Sequence, residues 1–570
     1  FKITRNTIGY SASDGAGVYS FAGVANSKFI PVFLNTGAVS PTSVQGNTIA
    51  GISMSGSVSG SGTVSPFIGI YCASGLVNIG NDSVNTIGNL SELNSIAFTS
   101  SSTSNSEISG IYIISSSGIN TSNNVIAGIS AANSSTGASS IYLIRSTSTG
   151  NWTCENNVIG GTIANSIQST SASIFTTLNG IYNNGRASTI SGNTLRNMTM
   201  AAGLNPMAGI VISSGNYTHN VSQNTVYALS NSNTTQSTFV SGIMFSNGSS
   251  SSVIERNNIH SLSAFSASSM VYGIYAQTGV ATYKNNMIRL GINQAGTGVN
   301  TGLSVIGIYE TGGTNNFYFN SVYIGGNPVS NNVTTFAFRS IVTTVTRNYI
   351  NNIFFNARSN SSGAGKHFAI SLAGSSPLPA GCTSNYNILY ATGNGSVLGF
   401  YNNVDRTTLG AWKTATGLDT NSISADPVYK NPTGNSADVN LHIGTFPTPA
   451  ENAGVLIPSV IDDFEGELRS DLSPTDIGAD AGNFINIDIN PMTISYTPLV
   501  NDSVQSAINF SGVIISDSDG VAVSGNLRPR VYFKKKNDVN VFNDNTSATA
   551  GWKYSASNGT ASPFDFTMDL

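Results

Sequence analysis

The sequence predicts an all-β chain, a right-handed parallel β-helix followed by a small Ig-like β-sandwich, and three observations predict it. A short text joining asparagine to an aliphatic residue recurs at steps of about 28 to 40 residues, the interval of a repeat array. Strand-length segments centred on Gly-Ile-Tyr fall between those texts. The composition is that of a folded but nearly uncharged chain: charged residues are 9% of 570, hydrophobic ones 39%, and glycine alone contributes 60. A usual soluble protein carries about 25% charge, and a disordered one would lack the ordered apolar clusters.

The asparagine text runs from "RNTI" (Arg5 to Ile8) through "GNTI" (Gly46 to Ile49), "NNVI" (Asn123 to Ile126, and again Asn156 to Ile159), "NNIH" (Asn257 to His260) and "NNMI" (Asn285 to Ile288) to "NNIF" (Asn351 to Phe354). The second signature appears as "FIGIY" (Phe67 to Tyr71), "LNGIY" (Leu178 to Tyr182), "VYGIY" (Val271 to Tyr275) and "VIGIY" (Val305 to Tyr309). Each repeat thus supplies at least two short strands and no helix. That suits one coil of a parallel β-helix, whose apolar residues stack on those of the next coil. Ten or eleven coils at the ~4.8 Å strand spacing make a rod roughly 50 Å long over residues 1–390.

Where a coil turns, backbone groups lose their strand partners, and an asparagine side chain can bond the turn or its equivalent in the next coil. Asn47, Asn124, Asn157, Asn258, Asn286 and Asn352 are the expected residues of such a ladder. The tyrosine of Gly-Ile-Tyr is expected to follow its equivalents in neighbouring coils.

Residues 391–484 gather much of the acid and proline, as in "SADPVYKNPTGNSADVNLHIG" (Ser424 to Gly444), "DDFEGELRS" (Asp462 to Ser470) and "TDIGADAG" (Thr475 to Gly482). A repeat array needs an atypical end unit, so these residues are expected to form irregular last coils and a closing cap. An open sheet edge at Phe1 would invite association, hence the expectation that the natural chain starts earlier. Residues 485–570 hold alternating segments such as "PMTISYTPL" (Pro491 to Leu499) and "RPRVYFKKK" (Arg528 to Lys536), separated by turns. They read as a small antiparallel sandwich, incomplete at its end.

The coil text, the run from Ala425 to Gly444 followed by "ENAG" (Glu451 to Gly454) and "DIGADAG" (Asp476 to Gly482), and the segment opening at Pro491 together resemble the large right-handed β-helix proteins that Bacteroidota bacteria export to their surface. Right-handedness also follows the general crossover rule. The resemblance implies an extracellular or outer-surface location and delivery by the type IX secretion machinery. The sorting domain that such proteins carry is not part of this sequence.

The formal charge is -4 and the basic residues are scattered apart from "FKKKND" (Phe533 to Asp538), so there is no footprint for nucleic acid. No run reaches the ~18 consecutive apolar residues of a transmembrane helix. Cys72, Cys154 and Cys382 lie far apart and read as buried coil residues. Right-handed β-helices also resemble pectate lyases and polygalacturonases, whose chemistry needs facing carboxyl groups or a base helped by calcium-binding acids. Between Asn47 and Asn352 such groups are sparse, and Glu255 beside Arg256 reads as a surface pair. His219 and His260, about one coil apart, are the alternative catalytic residues. Asp462, Asp463, Glu465, Glu467, Asp471, Asp476 and Asp480 could bind calcium, although cap and turn duty accounts for them. Asp517 and Asp519 in "SDSDG" (Ser516 to Gly520) could do the same, with a β-turn as the plainer reading. GxSxG, P-loop, HExxH and dinucleotide motifs do not occur. The expected function is that of a noncatalytic secreted or cell-surface adhesin or display protein with a glycan or protein partner and no cofactor beyond a possible calcium. A polysaccharide lyase or glycoside hydrolase is the rival.

Overall fold

The computed structural model describes residues 1–569 apart from 202, 329–331, 376–377, 473, 488–491, 501–506, 518–519, 543–544, 547 and 549. Two compact units result, Phe1–Asn486 and Ile487–Leu570. The first is a parallel β-solenoid. Its strands form a 23-stranded and a 17-stranded sheet in which the strands pair in parallel with those one coil away, except Val404–Arg406, which pairs antiparallel with Ser396–Tyr401.

Register explains the recurring text. Ile49, Ile87, Ile126, Ile159 and Leu195 pair in succession, continue through Val226, Ile259 and Ile288, and are all fully buried. They form one wall of the core. The isoleucines of Gly-Ile-Tyr form the facing wall, Ile70 on Ile111 and so on to Ile274 on Ile308. Glycine lets the two walls approach. A methyl group on Gly242 would lie 2.4 Å from Ile259 Cγ2 and 2.7 Å from the Gly273 carbonyl oxygen.

The ladder comprises Asn6, Asn47, Asn85, Asn124, Asn157, Asn193, Asn224, Asn257, Asn286, Asn320, Asn352 and Asn387. Each Nδ2 donates to Oδ1 of the next at 2.8–3.1 Å. From Asn47 onward, each Nδ2 also reaches back to a carbonyl of the preceding coil at 2.9–3.0 Å. These side chains, buried from Asn47 on, are therefore bonded on both sides, as burial of an amide requires. The ladder position in its coil is Asn257, not Asn258, which begins the next strand half-buried and pairs across the sheet with Thr225 and Met287. In every coil but the one at Asn85, the residue just before the ladder asparagine is left-handed, with φ of 52–67°. Asparagine tolerates that conformation better than most residues. A doubled asparagine therefore serves both positions, whereas in "ERNNIH" Arg256 takes the turn and moves the ladder to the first asparagine. Asn387, the twelfth asparagine, closes the eleventh step, within the ten or eleven coils expected from the sequence.

All ladder bonds run one way, so the last coil needs an acceptor that asks for nothing in return. Asp419 supplies it. Its Oδ1 accepts from Asn387 Nδ2 at 3.1 Å, Ser384 Oγ at 2.9 Å and Ser422 Oγ at 2.7 Å, and its Oδ2 from Trp412 Nε1 at 2.8 Å. Trp412 sits on the helix Leu409–Thr416, capped by Thr408 and Gly417, and its ring enters the core at the end of the stack. Asp419→Asn turns one acceptor into a donor facing donors. The expected loss is about 2–3 kcal/mol, read as a lower Tm with faster amide exchange confined to residues 382–422; unchanged exchange there would refute the role of terminator.

Within residues 391–484, the part up to Ile423 does close the stack, Ser396–Tyr401 pairing in parallel with His367–Leu372, but the acid-rich and proline-rich segment from Ser424 on does not continue it as last coils. It folds back along the outer face of the 17-stranded sheet, where Asn351 Nδ2 donates to the Val455 carbonyl at 2.7 Å, Asn285 Nδ2 to that of Asp462 at 2.9 Å, and Arg289 Nε to that of Pro432 at 2.9 Å. The physical reason is apolar cover: Met287, Tyr323, Ile353, Phe355 and Ile388 point outward there and pack against Leu441, Ile443, Ala450 and Ile477.

The second unit is antiparallel. Strands Thr493–Ser495, Ile508–Ser516 and Phe564–Met568 form one sheet, and Arg530–Phe533 pairs with Lys553–Ala556. Val513, Ile515, Phe564 and Phe566 make its small core.

Candidate functional site

The two histidines do not share a groove. His219 lies on the 23-stranded sheet, in register with Ser188 and fully buried. Its Nδ1 is 2.9 Å from Ser188 Oγ and its Nε2 2.6 Å from Ser214 Oγ. Burial pulls its pKa down to about 4, so the ring is neutral and bonded at both nitrogens. His260 lies on the 17-stranded sheet, in register with Tyr227 and stacked on it at 4.9 Å between ring centres. Burial and the neighbouring Arg289 pull its pKa down to about 3. His367, bonded to Thr335 and Asn360 at 2.8 Å each, is a third neutral buried ring at about 4.

Glu310 is the most enclosed acid of the coils. Ser340, Tyr349 and Asn315 all donate to it, and burial raises its pKa. Its role is to satisfy a polar corner inside the coil. Glu255 pairs with Lys284 of the next coil at 2.8 Å rather than with Arg256, which instead reaches Asp462 at 3.4 Å. Cys72 and Cys154 are buried, Cys382 is half-buried, and burial pushes all three thiols up to about 12. They are inert at neutral pH.

The fold-back brings together a cluster that local sequence does not show. His442, Glu465 and Asp480 each offer one ligand atom within 4.8 Å of the others. His442 Nε2 meets Glu465 Oε1, and its Nδ1 lies 2.6 Å from Asn440 Oδ1. Asp480 Oδ2 accepts the Ile443 N–H at 2.7 Å, and burial lifts the Asp480 pKa to about 6. Such a nitrogen and two carboxylates could hold a divalent ion. The mixed donor set suits zinc-like ions better than calcium, which takes six to eight oxygens. Arg469 anchors the same segment from beneath. Its guanidinium is 4.0 Å from the Phe319 ring centre and donates to Asn285 Oδ1 and to the Gly478 and Ala479 carbonyls at 3.0–3.1 Å. Asp517 follows the strand Ile508–Ser516 of the second unit, and its carbonyl accepts from the Gly520 N–H at 3.3 Å; Asp519 lies outside the described residues.

Two surface features remain. The tyrosines of Gly-Ile-Tyr face outward and stack, Tyr71 on Tyr112 at 5.7 Å and Tyr275 on Tyr309 at 5.4 Å. In one coil Arg145 takes the place between Tyr112 and Tyr182, at 4.9 and 5.8 Å from their centres, and pairs with Glu107 at 2.7 Å. A groove of about 550 Å³ lies on the outer face of the 17-stranded sheet, lined by uncharged side chains. No helix among the described residues is long and apolar enough to cross a membrane. Fold and site define a parallel β-solenoid with an appended antiparallel unit. No family model, curated protein or solved structure matches this chain.

Proposed function

We propose that this protein is a noncatalytic adhesin or display rod that works outside the cell, held stiff so that its lateral faces meet a partner. The observation that carries the reading is the ladder from Asn6 to Asp419, which cross-links each coil to the next through side chains buried from Asn47 on. Few of its contacts depend on ion pairs, so the rod keeps its form as salt varies. The resemblance to exported Bacteroidota β-helix proteins supports placement on the outer surface by type IX secretion, and it supports an Ig-like reading of residues 487–570. The rival, cleavage of a polysaccharide, would have to draw on His442, Glu465 and Asp480, since His219 and His260 are sealed apart.

Incubation with neutral and acidic polysaccharides tests this. The expected result is retention of some glycans or cell surfaces with no new reducing ends and no unsaturated uronate. Sustained release of oligosaccharides, abolished by His442→Ala, would overturn it.

A further inference from the structure

The groove on the 17-stranded sheet has a regular floor. Gln168, Thr199, Ser230 and Ser263 pair in register across four successive coils, so four uncharged hydrogen-bonding side chains stand in a row at the ~4.8 Å strand spacing. That repeat is comparable with the length of one pyranose unit in an extended glycan. One wall ends in the Phe265 ring, 55% exposed. The opposite wall is the loop at Gln294, pinned by a bond of 2.9 Å from its Nε2 to Asn197 Oδ1.

The hydrogen bonds already made leave the row able to bind. Thr199 Oγ1 donates to Asn165 Oδ1 at 2.6 Å, which leaves its lone pairs open. Gln168 Nε2 donates to Asn94 Oδ1 at 3.0 Å, and the carboxamide oxygens of Gln168 and Gln294 have no partner among the described residues. Ser230 accepts from Ser263 at 3.3 Å and keeps its own proton to give. The floor thus offers acceptors at Gln168, Thr199 and Ser263 and a donor at Ser230, a mixture that sugar hydroxyls, each both donor and acceptor, can meet. No acid or base lines the groove, so an anionic or cationic ligand would be desolvated without a counter-charge. A protein partner would find a single aromatic anchor and no apolar centre.

We infer that this groove binds a short segment of an uncharged glycan, lying across the coils, its hydroxyls bonded by the Gln168–Ser263 row and one sugar face packed on Phe265. This deepens the adhesive part of the proposed function and rests on it. Affinity for one such segment falls in the weak range typical of exposed polar sites, and repeated engagement on a surface raises it by avidity.

The test uses the full chain against an array of cello-, xylo-, manno- and galacto-oligosaccharides, followed by calorimetry with the best binder and by attachment to glycan-coated beads. Phe265→Ala is expected to weaken binding at least tenfold, and Ser230→Lys, which fills the floor from a half-exposed position, to abolish it. Phe446→Ala, an exposed ring outside the groove, serves as control and leaves it unchanged. Unchanged melting of both groove variants separates lost binding from lost folding. Glycan binding indifferent to both groove variants would overturn this site while sparing the adhesive reading. Attachment to cells with no uncharged oligosaccharide bound would do the same. Failure to attach to any surface or glycan would sink both.

Discussion

Asn257→Ala should cost roughly 3–5 kcal/mol, while Asn258→Ala, one residue along in the same text, should stay within about 0.5 kcal/mol. The difference lies in what each side chain closes. Asn257 Oδ1 accepts both the backbone N–H and Nδ2 of Asn224, at 3.1 and 2.9 Å, and its own Nδ2 donates to Asn286 Oδ1 and to the Val221 carbonyl. Alanine leaves two donors and one acceptor dry in a fully buried site. Asn258 faces outward and is half-buried. Because each coil is stabilised mainly by its neighbours, the loss should be local. Amide exchange should quicken in residues 219–264 first and spread outward, with the ends of the rod least affected. Urea denaturation gives the magnitude and exchange mass spectrometry the location. Equal effects of the two substitutions would mean that the ladder does not carry the coil-to-coil coupling.

The same pair shows how much the sequence discloses. The solenoid was legible because every coil solves one problem with one text, and Asn47, Asn124, Asn157, Asn286 and Asn352 fall in the ladder as that text implies. The register at Asn257 was misread because two adjacent asparagines look alike. The better rule counts back two residues from the buried aliphatic, from Ile259 to Asn257 or from Leu389 to Asn387. The lateral fold-back also had an unread signal. Early coils place threonine or valine just after the ladder, as at Thr48, Thr86, Val125, Val158, Thr194 and Thr225, all half-buried, whereas three of the later ones place Met287, Ile353 and Ile388 there, buried under the fold-back. A strand apolar at successive positions is covered on both faces. Buried Arg289, Arg358 and Arg469 gave no such signal, since an arginine in sequence reads as solvated until its carbonyl partners are placed around it. Glu465 and Asp480 stood out among the acids that could bind calcium, but their meeting with His442 was not legible for the same reason: distant turns meet only after the fold-back.

Acid should loosen the coils and tighten the fold-back, and this opposition is the sharpest check on how the two parts are joined. In the coils, His219, His260 and His367 are held at about 4, 3 and 4, below the ordinary 6.5. A depressed folded pKa gives stability that is present above the unfolded value and is lost as pH falls through the folded one. Each buried ring therefore withdraws up to roughly 3 kcal/mol as pH drops from 6.5 toward 4. Asp476, in the fold-back, runs the other way. Burial raises its carboxyl from 3.8 to about 7, reinforced by Glu451 and opposed by Arg469 and by the Gly482 and Asn452 N–H groups it accepts. A raised folded pKa gives stability fully present below the unfolded value and lost as pH rises through the folded one, here between about 4 and 7. Exchange at pH 5 and pH 8, corrected for intrinsic rates, should show residues 207–264 less protected at the lower pH and residues 446–482 more protected. Movement of both regions in the same direction would mean that the fold-back is an integral layer of the coils. Opposite movement would mark it as a strap that charge on Asp476 loosens while the ladder beneath stays closed.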